Sequence, residues 1–585
     1  MNDQTNDKLH KIRHTLAHIL AWAIKEKYPE AKLAIGPVVD NGFYYDIDFG
    51  STVISESDLG GLTIAMAKLL KNKHEVTRRE QDIDEALATA EGDIYKYELI
   101  KDLKASGETK VSFYKVGAFE DLCKGPHVET TSEIKSGCFK LAKLAGAYWR
   151  GDEKNKMLTR IYGWAFETKE ELEAYATMMA EADKRDHKKL GKELDIFTFS
   201  ELVGPGLPLW TPKGTLMRNL LDGFVWELRA QYGYEKVEIP HITKKELYET
   251  SGHWDKFKDE LFRITTREGH EFAMKPMNCP HHTQIYARRQ WSYRELPQRY
   301  ANTTACYRDE QSGELSGLSR VRSFAQDDAH VFCRMSQAKE EFLKIWDIIQ
   351  VFYPAFGFEL KVRLSTHDPE HSEKYLGGAD NWQIAETMLK DIIAEKKVDW
   401  MEGVGEAAFY GPKLDFMAKD AIGREWQVAT IQLDMNMPER FDLFCINEQG
   451  DKERIVMIHA AIMGSIERFM AILIEHTAGA FPVWLCPIQV KLLSVGEKHR
   501  DFCAELAGEF SNLGIRVEVD SSDETVGNKT RKAANEKIPY ILVVGDKEME
   551  LPNLVVRDRG SRETREISKV DFIKELQDKI NNRSL

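Results

Sequence analysis

The chain has 585 residues, 42% of them hydrophobic and 30% charged, and a formal net charge of 81 − 95 = −14. Its length predicts roughly four domains, and its composition excludes a mostly disordered chain. The acidic balance excludes a protein that grips nucleic acid by bulk charge, but it permits a local basic groove on an acidic body. No stretch approaches the ~18 uncharged apolar residues of a membrane helix, and the polar start has no apolar h-region, so no secretory signal is expected. The eight cysteines are scattered without a Cys-x-x-Cys pair. No disulfide framework is therefore expected, and the expected compartment is the reducing cytoplasm.

In chain order, helices are expected near 7–28, 57–73 and 83–91 with short strands between them, which reads as a separate α+β domain over 1–167. Thr168-Lys-Glu-Glu171 is a capping box, its hydroxyl set for a backbone N–H and its carboxylate reaching back. Leu172, Tyr175, Met179 and Ala182 extend one apolar stripe before the helix turns charged through Asp183-Lys-Arg-Asp-His-Lys-Lys189. Such a helix between globular parts is expected to be a solvated linker, here 168–192. Gly204-Pro-Gly-Leu-Pro208 then breaks regular structure. Residues 193–481 are rich in aromatic, β-branched and turn residues and read as mixed α/β with long strands, ending near Phe481-Pro482. Beyond that point strands at 490–495, 515–519 and 540–544 alternate with helices at 500–513 and 528–536. This βαβαβ rhythm predicts a small parallel-type sheet in a domain over 482–585.

Several constellations carry chemistry. His14 and His18 stand four residues apart on one helical face, and Cys123-Lys-Gly-Pro-His127 adds a thiol and another imidazole. These read either as a metal or acid/base cluster or as unrelated histidines; the Glu of the zinc-protease pattern is missing beside His14. Centrally, Lys275-Pro-Met-Asn-Cys279-Pro precedes Cys306-Tyr-Arg308-Asp-Glu310, a Gly/Ser-rich loop, and Arg320-Val-Arg322-Ser-Phe324-Ala-Gln326-Asp-Asp328-Ala-His330. Gly464-Ser-Ile-Glu467-Arg468 opens a helix and adds a fourth arginine. Guanidinium forks suit triphosphate oxygens. With neither a P-loop nor a Gly-x-Gly-x-x-Gly fingerprint present, ATP would be held by arginine clamps on an antiparallel sheet.

At these residues the sequence resembles the threonyl-tRNA synthetases, which are class II aminoacyl-tRNA synthetases. The resemblance covers nearly the whole chain. It rests on Asp40-Asn-Gly-Phe-Tyr-Tyr-Asp46, Cys123-Lys-Gly-Pro-His127, Ser251-Gly-His-Trp-Asp255, Lys275-Pro-Met-Asn-Cys279-Pro, Gln326-Asp-Asp-Ala-His330, Phe409-Tyr-Gly-Pro-Lys413 and Gly464-Ser-Ile-Glu-Arg468, in this order. It implies a multidomain α+β chain: an α+β editing domain, a class II catalytic core on an antiparallel sheet, and an α/β anticodon-binding domain. Motif 1 falls on 214–229 and the strand ending at Pro240, and implies a homodimer. Motif 2 is the strand–loop–strand carrying Arg308, Glu310 and Arg320, and motif 3 begins the helix with Arg468. By resemblance Arg308 holds the α-phosphate and the substrate carboxylate, Arg320 and Arg468 hold the outer phosphates of Mg²⁺–ATP, and Phe324 stacks on adenine. Cys279, His330 and His459 match the family's zinc ligands, while Asp328, Gln326, Tyr410, Lys413, Gln427 and Gln432 line the amino-acid pocket.

The resemblance also implies proofreading. An apolar pocket discriminates against a hydroxyl difference by only ~10²-fold, which is why a metal that the hydroxyl must ligate rejects valine. Serine keeps the hydroxyl and loses one methyl, worth roughly 1–3 kcal/mol, so a second sieve is needed. His14, His18, Cys123, His127, Asp121, Tyr45 and Lys96 match the family's editing residues, expected to position water and the ester-bearing ribose of seryl-tRNA. Glu548, Arg557 and Arg531 match anticodon contacts, where charged side chains suit unstacked base edges. The chain departs from the family pattern in several places. The small amino-terminal β-rich domain of many bacterial members is not seen. Cys-Pro-His281-His282 replaces Cys-Pro-Gly-His, which predicts a ligand competing at the zinc site or crowding it. Ser323, Val428-Ala429, Ala460 and Asp523-Glu-Thr525 also differ from the pattern. A non-enzymatic tRNA- or mRNA-binding paralogue is the competing expectation. It calls for loss of Arg308, Arg468 or a zinc ligand, and all are present.

Overall fold

The structure, a computed structural model, describes residues 3–585. The chain divides into two compact units, 1–180 and 181–585.

In the first unit the helix Asp3–Lys27 is the organising element. Ile12, Leu16, Ile19, Leu20, Ala23 and Ile24 recur at helical spacing and are buried. They pack with the helix Asp58–Leu70 and with a five-stranded sheet in which Gly42–Asp48, Met157–Ala165 and Phe139–Tyr148 run antiparallel. A second, three-stranded sheet joins Val76–Asp82, Lys110–Val116 and Phe119–Leu122. The expected helix near 83–91 is Ile83–Thr89, capped by the Asp82 side chain. A further helix, Ile94–Ala105, is capped by Asp93.

The Thr168/Glu171 capping box forms in both directions, at 3.2 and 3.3 Å. The linker, however, is two helices rather than one, Lys169–Arg185 and His187–Glu193. Asp186 leaves helical geometry and its carboxylate accepts from Lys188 N–H, starting the second helix. Nor is the charged run simply solvated. His187, Leu190 and Gly191 are buried, because the imidazole finds polar partners within the second unit.

The second unit is built on an eight-stranded sheet in the order 235–236, 298–307, 323–333, 456–465, 425–434, 413–419, 359–366, 400–404. Its interior pairings are antiparallel, and only the two outermost are parallel. Motif 1 keeps its helix, Pro212–Ala230, but its strand is reduced to the pair Glu235–Lys236. Strand alternation sorts the side chains. Ala325, Ala329, Val331, Ile458, Ala460, Ile431, Leu433, Leu414 and Phe416 point into one large core with the helices Pro212–Ala230, Met335–Phe352 and Ile466–Thr477. The residues between them point to the opposite face, which carries the site.

A five-stranded sheet follows, in which Val490–Ser494 pairs parallel with Val517–Asp520 and Tyr540–Val544. The parallel reading holds for those three strands only. Asn553–Asp558 and Arg565–Ser568 add an antiparallel hairpin at one edge, which makes the sheet mixed.

Candidate functional site

The open face of the large sheet is a row of polar side chains set by register. His330 lies opposite His459, and His459 opposite Gln432. Gln432 in turn lies opposite Lys413. Phe324, Gln326, Asp328 and His330 alternate along one strand, so all four share this face. The register shifts between Asp327 and Ala329, a bulge of the kind found beside active sites. Asp327 points the other way. It forms a buried ion pair with Arg229 and accepts the backbone N–H groups of Ile462 and Met463, holding the bulge from behind.

Cys279 opens the helix Cys279–Ala287, which brings its thiol to this row. One donor atom each from Cys279, His330 and His459 lies within 4.8 Å of the others, and all three residues are buried. His330 Nε2 and His459 Nδ1 face each other at 3.1 Å. Their far nitrogens are already held: His459 Nε2–H donates to Asp434 Oδ2 at 2.9 Å, and His330 Nδ1 lies 2.8 Å from His282 Nδ1. Ring nitrogens so held behind and facing one another beside a thiol suit a cation between them, and one sulfur with two imidazoles is a zinc donor set. The extra His281 does not join the cluster. Its ring lies 6.3 Å from that of Tyr248 and is buried without hydrogen bonds, so it neither competes for the site nor crowds it.

Around these ligands the pocket is braced. Tyr410 stacks on His459 with ring centroids 4.7 Å apart and donates its hydroxyl to Gln432 Oε1 at 2.6 Å. Asn278 Nδ2 donates to Asp328 Oδ2 at 3.0 Å, and Lys275 Nζ donates to Asn278 Oδ1 at 2.9 Å. Burial pushes the Asp328 carboxyl up to about 6. Asp415, fully buried, accepts from Arg363, Ser365, Gln427 and Thr430 and pairs with Lys413 Nζ at 2.9 Å. Asp434 and Asp415 were not anticipated from the sequence. The available signal is alternation: Asp434 follows Gln432, and Asp415 follows Lys413, by two residues on the same strands.

The arginines stand at the same end of the sheet. Arg308 follows the strand Gln298–Tyr307, and its guanidinium carbon lies 5.3 Å from the Phe324 ring centroid and 5.5 Å from that of Phe257. Arg468 lies in the first turn of Ile466–Thr477, near Trp426, and burial lowers its pKa. Among the described residues neither has a carboxylate partner, and Arg308 Nε is buried without a hydrogen bond. Arg320 is instead paired with Glu310 at 2.7 Å and with Glu314 at 3.1 Å. Two partly buried guanidinium groups without carboxylate partners favour an anion that completes them.

The first unit holds a second cluster. The helix Asp3–Lys27 and the segment after the strand Phe119–Leu122 bring His14, His18, Cys123 and His127 together, with donor atoms within 4.8 Å of one another. Cys123 Sγ lies 3.2 Å from both His14 Nε2 and His127 Nε2. Close packing at Gly125 seats this turn, since a Cβ there would stand 2.4 Å from the Tyr114 hydroxyl at φ +76°. Burial raises the Cys123 thiol to about 11 and lowers His127 to about 2. His14 is lowered by burial, and buried His18 well below its ordinary value. Beside them Tyr45 donates its hydroxyl to Asp121, which pairs with Lys96 at 2.6 Å.

The last three candidates are engaged locally. Glu548 accepts from Gly545 N–H at 3.0 Å, Arg557 donates to Ser561 O at 2.9 Å, and exposed Arg531 donates to Asn528 at 2.8 Å.

Residues 262–477 match the family model of the tRNA synthetase class II core domain (G, H, P, S and T). Residues 489–579 match the anticodon binding domain, and 111–162 the second additional domain of threonyl and alanyl tRNA synthetases. The chain is 46% identical over 572 residues to the threonine–tRNA ligase of Cytophaga hutchinsonii, covering 97% of this chain and 88% of that protein. It is 48% identical over 573 residues to that of Acetivibrio thermocellus, covering 98% and 88%. Among solved structures, the RNA binding domain of threonyl-tRNA synthetase from Cryptosporidium parvum superposes with a TM-score of 0.63 at 37% identity, covering 67% of this chain and 98% of that one. With these extents of identity, the chain belongs to the threonine–tRNA ligase family of class II aminoacyl-tRNA synthetases.

Proposed function

We propose that this chain activates L-threonine with Mg²⁺–ATP, transfers it to tRNA(Thr), and hydrolyses seryl-tRNA(Thr) at the first unit's histidine cluster. In the first step the threonine carboxylate oxygen bonds to the α-phosphorus and the bond to pyrophosphate breaks. A ribose hydroxyl of tRNA then takes the acyl group and AMP leaves. The demand is positioning and neutralisation of phosphoryl charge. Arg308 and Arg468, the arginines without carboxylate partners, meet the phosphates, Arg320 assists while Glu310 orients it, and Phe324 takes the adenine face. Cys279, His330 and His459 hold zinc, braced by His282 and Asp434. Bound there, zinc supplies a Lewis-acid site for the threonine amino and hydroxyl groups, which valine cannot match. Asp328, Gln326, Tyr410, Lys413, Gln427 and Gln432 bound the pocket around the substrate.

In the editing site, His14, His18, Cys123 and His127 orient water and the ester-bearing ribose, and the Tyr45–Asp121–Lys96 chain sets their polar surround. We divide the chain into editing domain 1–167, linker 168–192, catalytic domain 193–481 and anticodon-binding domain 482–585, with Glu548, Arg557 and Arg531 facing anticodon bases. A cytoplasmic homodimer fits the exposed apolar side chains Phe199, Leu202, Val203 and Leu209 just before the motif 1 helix.

The observation that carries this reading is the buried Cys279/His330/His459 set, together with Arg308 and Arg468 at one end of the same sheet, neither with a carboxylate partner among the described residues. Its test is Cys279→Ser. Zinc content and threonine-dependent ATP–pyrophosphate exchange fall together; full exchange from protein without zinc rejects the assignment.

A further inference from the structure

The loop between the two motif 2 strands, 308–322, must be held still to present Arg308 and Arg320. Part of that hold comes from within the loop, where Ser316 bridges to Arg320. Its apex is held from outside. Leu318, fully buried, donates its backbone N–H to His187 Nε2 at 3.0 Å. Because Nε2 accepts, the ring proton sits on Nδ1, which donates to Glu475 Oε1 at 2.6 Å. The same oxygen accepts His187 backbone N–H at 3.2 Å, and Glu475 Oε2 is fixed by Arg424 at 2.6 Å. The imidazole thus joins the linker's second helix, the motif 2 loop and the last turn of the helix Ile466–Thr477, whose first turn carries Arg468. Gly317 permits the approach. It sits at φ +52°, and a Cβ there would stand 2.2 Å from His187 Nε2 and 2.7 Å from Lys188 Cγ.

We propose that His187 is a positioning residue for ATP: its ring clamps the motif 2 loop to the motif 3 helix, so that arginines from both motifs face one triphosphate. The inference rests on the proposed ATP-binding role of Arg308, Arg320 and Arg468. It makes the linker's second helix part of the catalytic apparatus.

The two bonds of the ring can be separated. An asparagine amide reaches the place of Nδ1 and keeps the bond to Glu475 while losing Leu318. A glutamine amide reaches the place of Nε2 and keeps the acceptor for Leu318. The measurement is threonine-dependent ATP–pyrophosphate exchange by the full chain, with KM for ATP and kcat taken separately. Wild-type exchange tests the ATP-site reading by itself; the ranking of the variants tests the clamp. His187→Asn raises KM for ATP roughly 5- to 150-fold, the range for stranding one buried N–H, with kcat little changed. His187→Gln stays near wild type. A wild-type KM in His187→Asn, or a His187→Gln as impaired as His187→Asn, overturns the clamp. Should a His187 variant fail to fold, Gly317→Ala, which removes neither the imidazole nor Glu475 but drives a Cβ against the ring, raises KM for ATP in the same way; an unchanged KM there overturns it.

Discussion

Burial disfavours the charged form of His14, His18 and His127 in the first unit. His18 and His127 are nearly inaccessible and their pKa values lie below the ordinary 6.5, His127 at about 2. The unfolded chain therefore binds protons that the native chain does not, and stability falls as pH drops below about 6.5, by up to about 1.4 kcal/mol per pH unit for each ring. Thermal unfolding of wild type between pH 7 and 5 should show a larger loss of Tm than that of His127→Gln, which removes one such ring. The same neutral cluster underlies the editing assignment. His127→Ala leaves threonylation intact and lets seryl-tRNA accumulate; clearance at the wild-type rate contradicts that assignment. At the synthetic site, Arg308→Ala removes a charge aimed at the phosphate and is expected to slow adenylate formation by ~10²-fold or more, read in the exchange assay. The residues of both clusters were legible from motif order. Their supports were not, because His282 and Asp434 act only through side chains that the fold brings up from elsewhere.

Two-residue alternation explains why the large sheet works as a platform. One set of side chains makes the core against three helices, and the intervening set forms the site. The strands and the motif 2 and 3 turns were readable from that period and from the Gly-rich loop. The break at Asp186 was not, since the charged run hides a histidine whose partners lie 131 and 288 residues away. The carboxy-terminal antiparallel hairpin escaped because βαβαβ patterning says nothing about edge strands added later. Asp434 ties elements together. One oxygen accepts the N–H groups of Asn436 and Met437 at the start of a short helix, and the other holds His459. Asp434→Asn is therefore expected to weaken zinc binding about 10- to 100-fold in competition with a chelator, the usual cost of losing such a partner.

Across the molecule, the proposed reading puts chemistry and tRNA selection in different parts of the second unit, where 262–477 match the class II core and 489–579 the anticodon binding domain. Phe481, Trp484, Leu485 and Cys486 pack into the large core, so a chain ending at Pro487 retains that core. It loses the contact in which Arg583 stacks 4.1 Å from the Phe224 ring centroid on the motif 1 helix. Such a chain is expected to keep threonine-dependent exchange and to lose most charging of tRNA; undiminished charging places tRNA selection elsewhere. The order of the three matched regions, 111–162, 262–477 and 489–579, was readable from composition breaks and the order of the motifs. The packing of segment 481–486 into the catalytic core was not, because nothing local distinguishes its apolar residues from those of the next sheet.

The most direct measurement compares threonine, valine and serine as substrates for ATP–pyrophosphate exchange on zinc-replete protein and on protein stripped by a chelator. The account predicts strong exchange with threonine, weaker exchange with serine and none with valine, all lost with the metal and restored by zinc. Exchange with valine as strong as with threonine, or exchange with threonine undisturbed by complete removal of zinc, contradicts it.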